Sequence, residues 1–165
     1  MLIPDSVAPG LRVIFCGTAL GAASHRAKAY YAGPGNKFWP TLHEIGLTPR
    51  RLEPSEYPEL LEYGIGLTDL CKTRSGSDAE VGVGGFDPPR LVELLALTQP
   101  GWIAFNSKRA AKEALGVKRV DYGPHPTGLG GVPVFVLPST SGAASGHWDI
   151  TWWRELARRA RRRAT

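Results

Sequence analysis

Two features of the sequence could do chemistry, a turn of small residues and a carboxylate, and each follows an apolar run. The first lies within Val13 to Trp39, where the run Leu11 to Cys16 gives way to a small-residue turn at Gly17. Small residues at the end of a strand let a ligand approach the backbone closely. The second is Asp69, near the end of the run Ile65 to Leu70. A carboxylate there could orient water or stabilise positive charge, although a lone Asp after a strand more often caps a helix or turn.

Other candidate side chains lie in loops or at helix starts. Asp78 and Asp87 fall in residues 71–89, a stretch rich in Gly that has no strand to anchor them. His125, in the sequence PHPT, could act as a general base but is more typical of a turn. Asn36 could orient a group in a pocket, although at a helix start its first role is an N-cap. These residues are secondary candidates.

The chain alternates strand-like runs with helical patterns. Four apolar runs predict strands: Leu11 to Cys16, Ile65 to Leu70, Trp102 to Asn106 and Val132 to Leu137. Helices are predicted over Asn36 to Ile45, Ser55 to Tyr63, Arg90 to Leu97, Ser107 to Leu115 and Asp149 to Arg163, with Ser55, Ser107 and Asp149 as N-caps. A long ordered loop joins the first strand to the first helix. Residues 71–89 and 122–131 are expected to be loop and turn.

This alternation predicts an α/β fold with three layers, α/β/α, around a short, mainly parallel sheet of four strands. Parallel strands need crossover connections, and right-handed crossovers place helices on both faces of the sheet. The loops after Cys16, Leu70, Asn106 and Leu137 should then open at one edge, so the small-residue turn and Asp69 should lie close together.

Length and composition predict a single domain over residues 1–165, with 42% apolar residues to build its core. Cys16 and Cys71 are too few for a cysteine-based zinc or iron–sulfur site, so we expect reduced, buried thiols. No apolar run approaches 18 residues, which predicts a soluble protein of the bacterial cytosol or nucleoid. The chain has no GxxxxGK[ST] loop and its first turn is not GxGxxG, which argues against a nucleotide-binding protein.

The net charge of +5 is concentrated at the C-terminus. Residues 149–165 hold six arginines against Asp149 and Glu155, a local charge of +4 that leaves +1 for the rest of the chain. Such a segment can follow phosphates, or it can be a solubilising helix end placed favourably for the helix dipole. Both interpretations stay open, and the second is the commoner.

Four motifs, in order, carry a resemblance that spans nearly the whole chain, from about residue 9 to residue 160. They are GTALG, YYAGPGNKFW, YGIGLTDL and LPSTSGAASG, of which GPGNKFW after an aromatic residue is the most specific. Together they resemble the mismatch-specific uracil/thymine DNA glycosylases, the MUG/TDG family of the uracil-DNA glycosylase superfamily. The resemblance implies a uracil-DNA glycosylase-like fold and an enzyme that extrudes a uracil-like base from DNA and hydrolyses its N-glycosidic bond. It also implies catalysis without metal or cofactor. We expect a monomer whose partner is DNA with uracil or mismatched or modified pyrimidines.

By this resemblance, the loop after the first strand holds the extruded base. Tyr31 occupies the position of the aromatic residue that stacks on the base, since a flipped base is held by stacking and by hydrogen bonds to its edge. The backbone around Thr18 and Tyr31 would read the polar edge of the pyrimidine. Ser24 would lie beside carbon 5, and Asn36 is a further candidate for the pocket.

The resemblance fails at one catalytic position. The family's first motif is usually GINPG, whose Asn positions the attacking water, and here that position is Ala19. An alanine side chain cannot hold a water. We therefore expect Asp69, where the family typically has Lys or Asn, to act as the catalytic carboxylate, because cleavage develops positive charge on the sugar.

The last motif is the one with which the family contacts the DNA strand. Short hydroxyls and amides suit phosphate contacts, and the candidates are Ser139, Ser141, Gly142, Ala143, Ala144 and Ser145. Ala143 stands where the family has an intercalating Leu or Arg, which predicts weaker reading of the opposite base unless Ala144, Ser145 or His147 compensates. Lys108, Arg109 and the basic tail could add nonspecific attraction. The alternative function is a non-catalytic reader of damaged or flipped bases.

Overall fold

The computed structural model describes residues 2–76 and 83–161, which form a five-stranded sheet with helices on both faces. The strands are β1 (Val13–Gly17), β2 (Ile65–Asp69), β3 (Ile103–Phe105), β4 (Gly123–Pro124) and β5 (Val134–Val136). Their order across the sheet is β2-β1-β3-β5-β4. The first three neighbouring pairs are parallel, and β4 pairs antiparallel with β5.

The prediction of a parallel sheet at these four runs is confirmed, but the strand count of four is wrong. The fifth strand, β4, lies in the stretch expected to be a turn and has only two residues. Its pairing, Gly123 with Val136 and Pro124 with Phe135, was not predictable because two residues with Gly and Pro carry no strand periodicity.

Among the described residues, five α-helices and three 3₁₀ segments flank the strands. The helices are α1 (Ala22–Ala27), α2 (Phe38–Glu44), α3 (Pro88–Thr98), α4 (Lys108–Leu115) and α5 (Ile150–Arg161). The 3₁₀ segments are Pro54–Tyr63, Val83–Gly85 and Gly142–His147. The helix α1 lies inside the stretch predicted as one long loop, so the prediction of a continuous loop is wrong. Its six residues, AASHRA, have no apolar stripe to signal a helix.

The helix ends show where side-chain caps act. Ser107 accepts a hydrogen bond from the Ala110 N–H at 3.0 Å, and Asp149 accepts one from the Thr151 N–H at 2.9 Å, as predicted. The predicted Ser55 cap is wrong. The segment Pro54–Tyr63 is a 3₁₀ helix that begins with a capping box between Glu53 and Glu56.

The sheet is covered on both faces, which confirms the three-layer arrangement. Alternate residues of β1 point to opposite sides, Phe15 into one core cluster and Ile14 into the other. Phe15 packs between Phe38 of α2, with ring centroids 5.3 Å apart, and Trp153 of α5, at 5.4 Å. The second cluster joins Ile14 to residues of α3 and α4. Cys16 and Cys71 are buried free thiols, as expected. None of the described helices is long and apolar enough to cross a membrane.

Candidate active site

A pocket of about 750 Å³ opens at the sheet edge where β1, β2, β3 and β5 end. It brings together most of the residues singled out from the sequence, although these lie far apart along the chain. They are Thr18, Ala19, Ser24, Tyr31, Asn36, Asp69, Ser139, Ser141, Gly142, Ala143 and Ala144. Asn106, Ser107 and Thr140 also line it and were not among the candidates.

Tyr31 lies in the pocket in a backbone conformation that non-glycine residues rarely adopt, with φ of 54°. The loop is held on both sides of it. The Tyr30 carbonyl accepts a hydrogen bond from Trp39 Nε1 at 3.0 Å, and the Ala32 N–H donates to Ser24 Oγ at 2.9 Å. The Tyr31 ring stacks on Phe38, with centroids 4.1 Å apart and planes 25° apart. Strain of this kind persists only where surrounding contacts fix it, and here they fix the ring in the pocket.

Asp69 ends β2 directly opposite Gly17, the last residue of β1. A Cβ atom added at Gly17 would lie 2.9 Å from Asp69 Oδ1 and 3.4 Å from the Tyr31 hydroxyl oxygen. The carboxyl group and the phenol therefore meet above the same backbone position. Only a glycine at position 17 leaves room for both.

The Asp69 side chain is a buried carboxyl group without full hydrogen bonding. The residue is 2% exposed, and within the described part of the chain its Oδ2 has no hydrogen-bond partner. Lys72 Nζ lies 3.8 Å from Oδ2, which is an ion-pair contact longer than a hydrogen bond. Burial raises the pKa of Asp69 to about 6, against the opposing effect of the Lys72 charge. Such a group is ionised at neutral pH yet basic enough to take a proton.

Behind Asp69 lies a cluster of charged side chains that the sequence did not reveal. Arg90, in α3, donates to the Asp69 carbonyl oxygen at 2.6 Å and pairs with Asp5 Oδ2 at 2.6 Å. Asp5 also accepts a hydrogen bond from Thr68 at 2.6 Å and lies 3.3 Å from Lys72. These contacts fix the end of β2 and with it the position of Asp69. No local pattern links residues 85 positions apart, such as Asp5 and Arg90.

On the other side of the pocket, Asn106 and Thr140 bind each other twice. Asn106 Nδ2 donates to Thr140 Oγ1 at 2.9 Å, and the Thr140 N–H donates to Asn106 Oδ1 at 3.1 Å. The Thr140 carbonyl accepts from the Lys37 N–H at 2.8 Å. This pair joins the loops after β3 and β5 to the segment before α2. Asn106 could have been found by the signal that identified Asp69, a polar residue at the end of a buried strand.

The loop that carries Ser139 and Ser141 is ordered by its own hydroxyls. Ser139 Oγ accepts from the Ser141 N–H at 3.1 Å, and Ser141 Oγ accepts from the Ala143 N–H at 3.3 Å. Each hydroxyl hydrogen remains to donate elsewhere. Gly142 and Ala143 are exposed at the pocket rim, where a Cβ at Gly142 would lie 3.5 Å from the Gly35 carbonyl oxygen.

Asn36 and Thr18 act in the pocket wall through hydrogen bonds to backbone groups. Asn36 Oδ1 accepts from the Phe38 N–H at 3.0 Å, the cap-like role expected at a helix start. The Thr18 carbonyl oxygen accepts from the Cys71 N–H at 2.8 Å and so ties the loops after β1 and β2 together.

Several secondary candidates lie outside the pocket. His125 binds the β5 strand through its backbone, and Asp87 caps α3 by accepting from the Arg90 N–H at 3.2 Å. Lys108 lies over the Tyr122 ring, and Arg109 pairs with Glu113 at 2.9 Å. His147 is exposed and does not line the pocket. The Ser145 side chain lies outside the described part of the structure. Asp78, Arg162 and Arg163 are outside the described residues.

Among residues 2–76 and 83–161, no three His, Cys, Asp or Glu side chains are grouped so as to hold a metal ion.

Two comparisons relate this arrangement to known proteins. The chain matches the solution NMR structure of a protein from Methanosarcina acetivorans, provisionally described as a uracil DNA glycosylase, with a TM-score of 0.67 and 23% identity. The match covers 96% of each chain, and at this identity it establishes the fold. The family model of the uracil DNA glycosylase superfamily matches residues 4–158. The pocket at the sheet edge and this match over nearly the whole chain place the protein in the uracil DNA glycosylase superfamily.

Proposed function

We propose that the protein is a monofunctional DNA glycosylase that removes uracil, or another modified pyrimidine, from DNA and uses Asp69 as its catalytic carboxylate. The observation that carries the proposal is the position of Asp69, a buried carboxyl group that lines the pocket opposite Gly17. Its pKa of about 6 leaves it ionised near neutral pH. Ala19, which lines the same pocket, offers no polar side-chain atom to hold water.

The pocket supports recognition of an everted base. The base stacks on the Tyr31 ring, whose orientation is fixed by Phe38 behind it. The backbone around Thr18 and Tyr31 meets its polar edge, and Asn36 contributes to the wall. Ser24 acts chiefly by holding the Ala32 N–H and thereby the loop that carries Tyr31, close to carbon 5 of the base.

The reaction breaks the bond between the sugar C1′ and the base nitrogen, and the electron pair leaves with the base. Positive charge develops on the sugar and is stabilised by the Asp69 carboxylate. A water oxygen then forms the new bond to C1′, and Asp69 accepts the water proton. The base anion takes up a proton, so the products are free base and an abasic site.

The DNA strand lies along the loop after β5. Ser139 and Ser141 donate their hydroxyl hydrogens to phosphate oxygens, together with the Gly142 amide. Ala143 fills little of the space that the extruded base leaves. We therefore expect weak discrimination of the opposite base, within the mismatch-specific MUG/TDG branch of the superfamily.

The test is single-turnover release of uracil from a labelled duplex by the wild type, Asp69→Asn and Asp121→Asn. Asp121 is exposed and does not line the pocket, so its variant controls for the loss of one carboxylate. The rate of uracil release by Asp69→Asn should be about 10²- to 10⁴-fold lower than that of the wild type, which is the contribution typical of a positioned acid or base. Full activity of Asp69→Asn with normal folding refutes the assignment.

The second candidate function is a non-catalytic reader of damaged bases. Alanines at positions 19 and 143, where the related enzymes carry a water-positioning Asn and an intercalating side chain, favour it. A protein of this kind binds uracil-containing or abasic DNA tightly and releases no base. A panel of duplexes with uracil, thymine, hypoxanthine and alkylated pyrimidines, assayed for both binding and release, separates the two functions.

A further inference from the structure

Four buried or partly buried charges, one lining the pocket and three behind it, balance each other. Asp5 and Asp69 supply two negative charges, and Lys72 and Arg90 supply two positive charges. They come from the N-terminal segment, the end of β2, the loop after it and the start of α3. Lys72 and Asp69 are the most enclosed, with side chains 5% and 3% exposed, so their interaction is little screened by water.

The two cations both contact Asp5, but they meet Asp69 through different groups. The Arg90 guanidinium group donates hydrogen bonds to Asp5, to the Thr68 hydroxyl and to the Asp69 carbonyl oxygen, which is a backbone group. Its charge therefore chiefly neutralises Asp5. Lys72 is the cation in contact with the Asp69 carboxyl group, 3.8 Å from Oδ2.

The ammonium group of Lys72 is held in place by two further contacts. It donates to the Tyr30 hydroxyl at 3.0 Å and lies 3.3 Å from Asp5 Oδ1. The Tyr30 hydroxyl in turn donates to the Pro4 carbonyl at 3.0 Å. Lys72 is thus fixed behind the pocket and does not line it.

We propose that Lys72 is a positioning residue whose fixed ammonium group keeps Asp69 a carboxylate at the pH at which the enzyme works. The inference rests on the proposed function, since it concerns the ionisation of the carboxylate assigned there. A buried carboxyl group without a cation beside it is driven toward its neutral form, which can neither stabilise a cationic sugar nor accept a proton from water.

The other groups around Asp69 define the direction of each test. Asp5 raises the pKa of Asp69, whereas Lys72 and Arg90 lower it. Tyr30, Tyr31 and Cys16 are uncharged at working pH, because burial raises the pKa of each. Lys72 and Asp5 therefore act on Asp69 in opposite directions, which a purely structural role would not produce.

The experiment compares the pH dependence of single-turnover uracil release in the wild type, Lys72→Met and Asp5→Asn. Lys72→Met removes the cation at similar length, and the acidic limb of its profile should move up by about 1–3 pH units, the effect of one nearby charge. Asp5→Asn should move it down. Lys72→Arg, which keeps the charge, and Lys118→Met, which removes an exposed one elsewhere, should leave it in place.

A readout that needs no activity accompanies the rates. The side-chain carboxyl carbon of Asp69, identified by its missing signal in Asp69→Asn, is titrated by ¹³C NMR in the same variants without DNA. An unchanged titration midpoint of Asp69 in Lys72→Met overturns the inference. If Lys72→Met does not fold, an unchanged or raised midpoint in Asp5→Asn overturns it. Full activity of Asp69→Asn would instead refute the proposed function, and the titration would still decide the role of Lys72.

Discussion

The two halves of the pocket edge differ in how fully their buried polar groups are hydrogen-bonded. Where β3 and β5 end, Asn106 and Thr140 satisfy each other with two reciprocal hydrogen bonds. Where β1 and β2 end, the Asp69 Oδ2 atom is buried without a hydrogen-bond partner among the described residues. Both halves come from the same sheet, and both contain polar side chains at strand ends.

The difference separates a group that holds the fold from a group that can react. A satisfied buried pair adds to stability, whereas an unsatisfied carboxyl group costs free energy in the folded state. Such a cost is typical of sites at which a ligand or reacting group later supplies the missing interactions. We therefore expect mutations on the Asn106 side to reduce stability and mutations on the Asp69 side to reduce activity.

The largest effect is expected at Asn106. Asn106→Ala removes both bonds and leaves the buried Thr140 N–H and hydroxyl unpaired, which should lower the free energy of unfolding by about 2–4 kcal/mol. Urea denaturation measures the loss. Asn36→Ala removes one bond at a helix start and should cost only about 1 kcal/mol, so it serves as the control. A wild-type midpoint for Asn106→Ala would contradict the structural role of the pair.

The next effect is expected at Gly17. In Gly17→Ala the new methyl group would lie 2.9 Å from Asp69 Oδ1, so the carboxyl group must move. A shift of this kind should lower the rate of uracil release by about 10²-fold while the protein stays folded. Gly84→Ala is the matched control, because Gly84 does not line this pocket and a Cβ there meets nothing within 4 Å. Equal rates in the two variants would mean that the position of the Asp69 carboxyl group does not affect catalysis.

The smallest effect is expected in the stability of Asp69→Asn, and its size depends on pH. The pKa of Asp69 is about 6 in the folded protein against an ordinary value of 3.8, so folding disfavours the ionised form. This cost is fully present above about pH 6 and disappears as the pH falls toward about 4. Asp69→Asn should therefore be more stable than the wild type at pH 8, by about 1–2 kcal/mol. The gain is no larger because Lys72 loses one of its two carboxylate partners in the variant.

Calorimetric scans at about pH 8 and pH 4 test this difference. The two proteins should unfold at closer temperatures at the lower pH, where both side chains are neutral. A variant less stable than the wild type at pH 8 would mean that Asp69 holds the fold in the manner of Asn106, and the contrast between the two halves would fail.

The sequence by itself determined the main parallel strands, and with them the edge at which the pocket opens. Strand periodicity and cap residues act within a few positions, so runs such as Ile65 to Leu70 and caps such as Ser107 can be read directly. The placement of Asp69 beside the turn at Gly17 followed from the rule that parallel strands end at one edge. The motifs added the superfamily, which the match over residues 4–158 confirms.

Only the tertiary structure decided what surrounds Asp69. The ion pair between Asp5 and Arg90 joins residues 85 positions apart, and the Asn106–Thr140 pair joins residues 34 apart. Such contacts depend on how helices and loops pack on the sheet, and no local periodicity encodes them. The left-handed backbone at Tyr31 likewise results from contacts on both sides of it, because an isolated tyrosine would avoid that conformation.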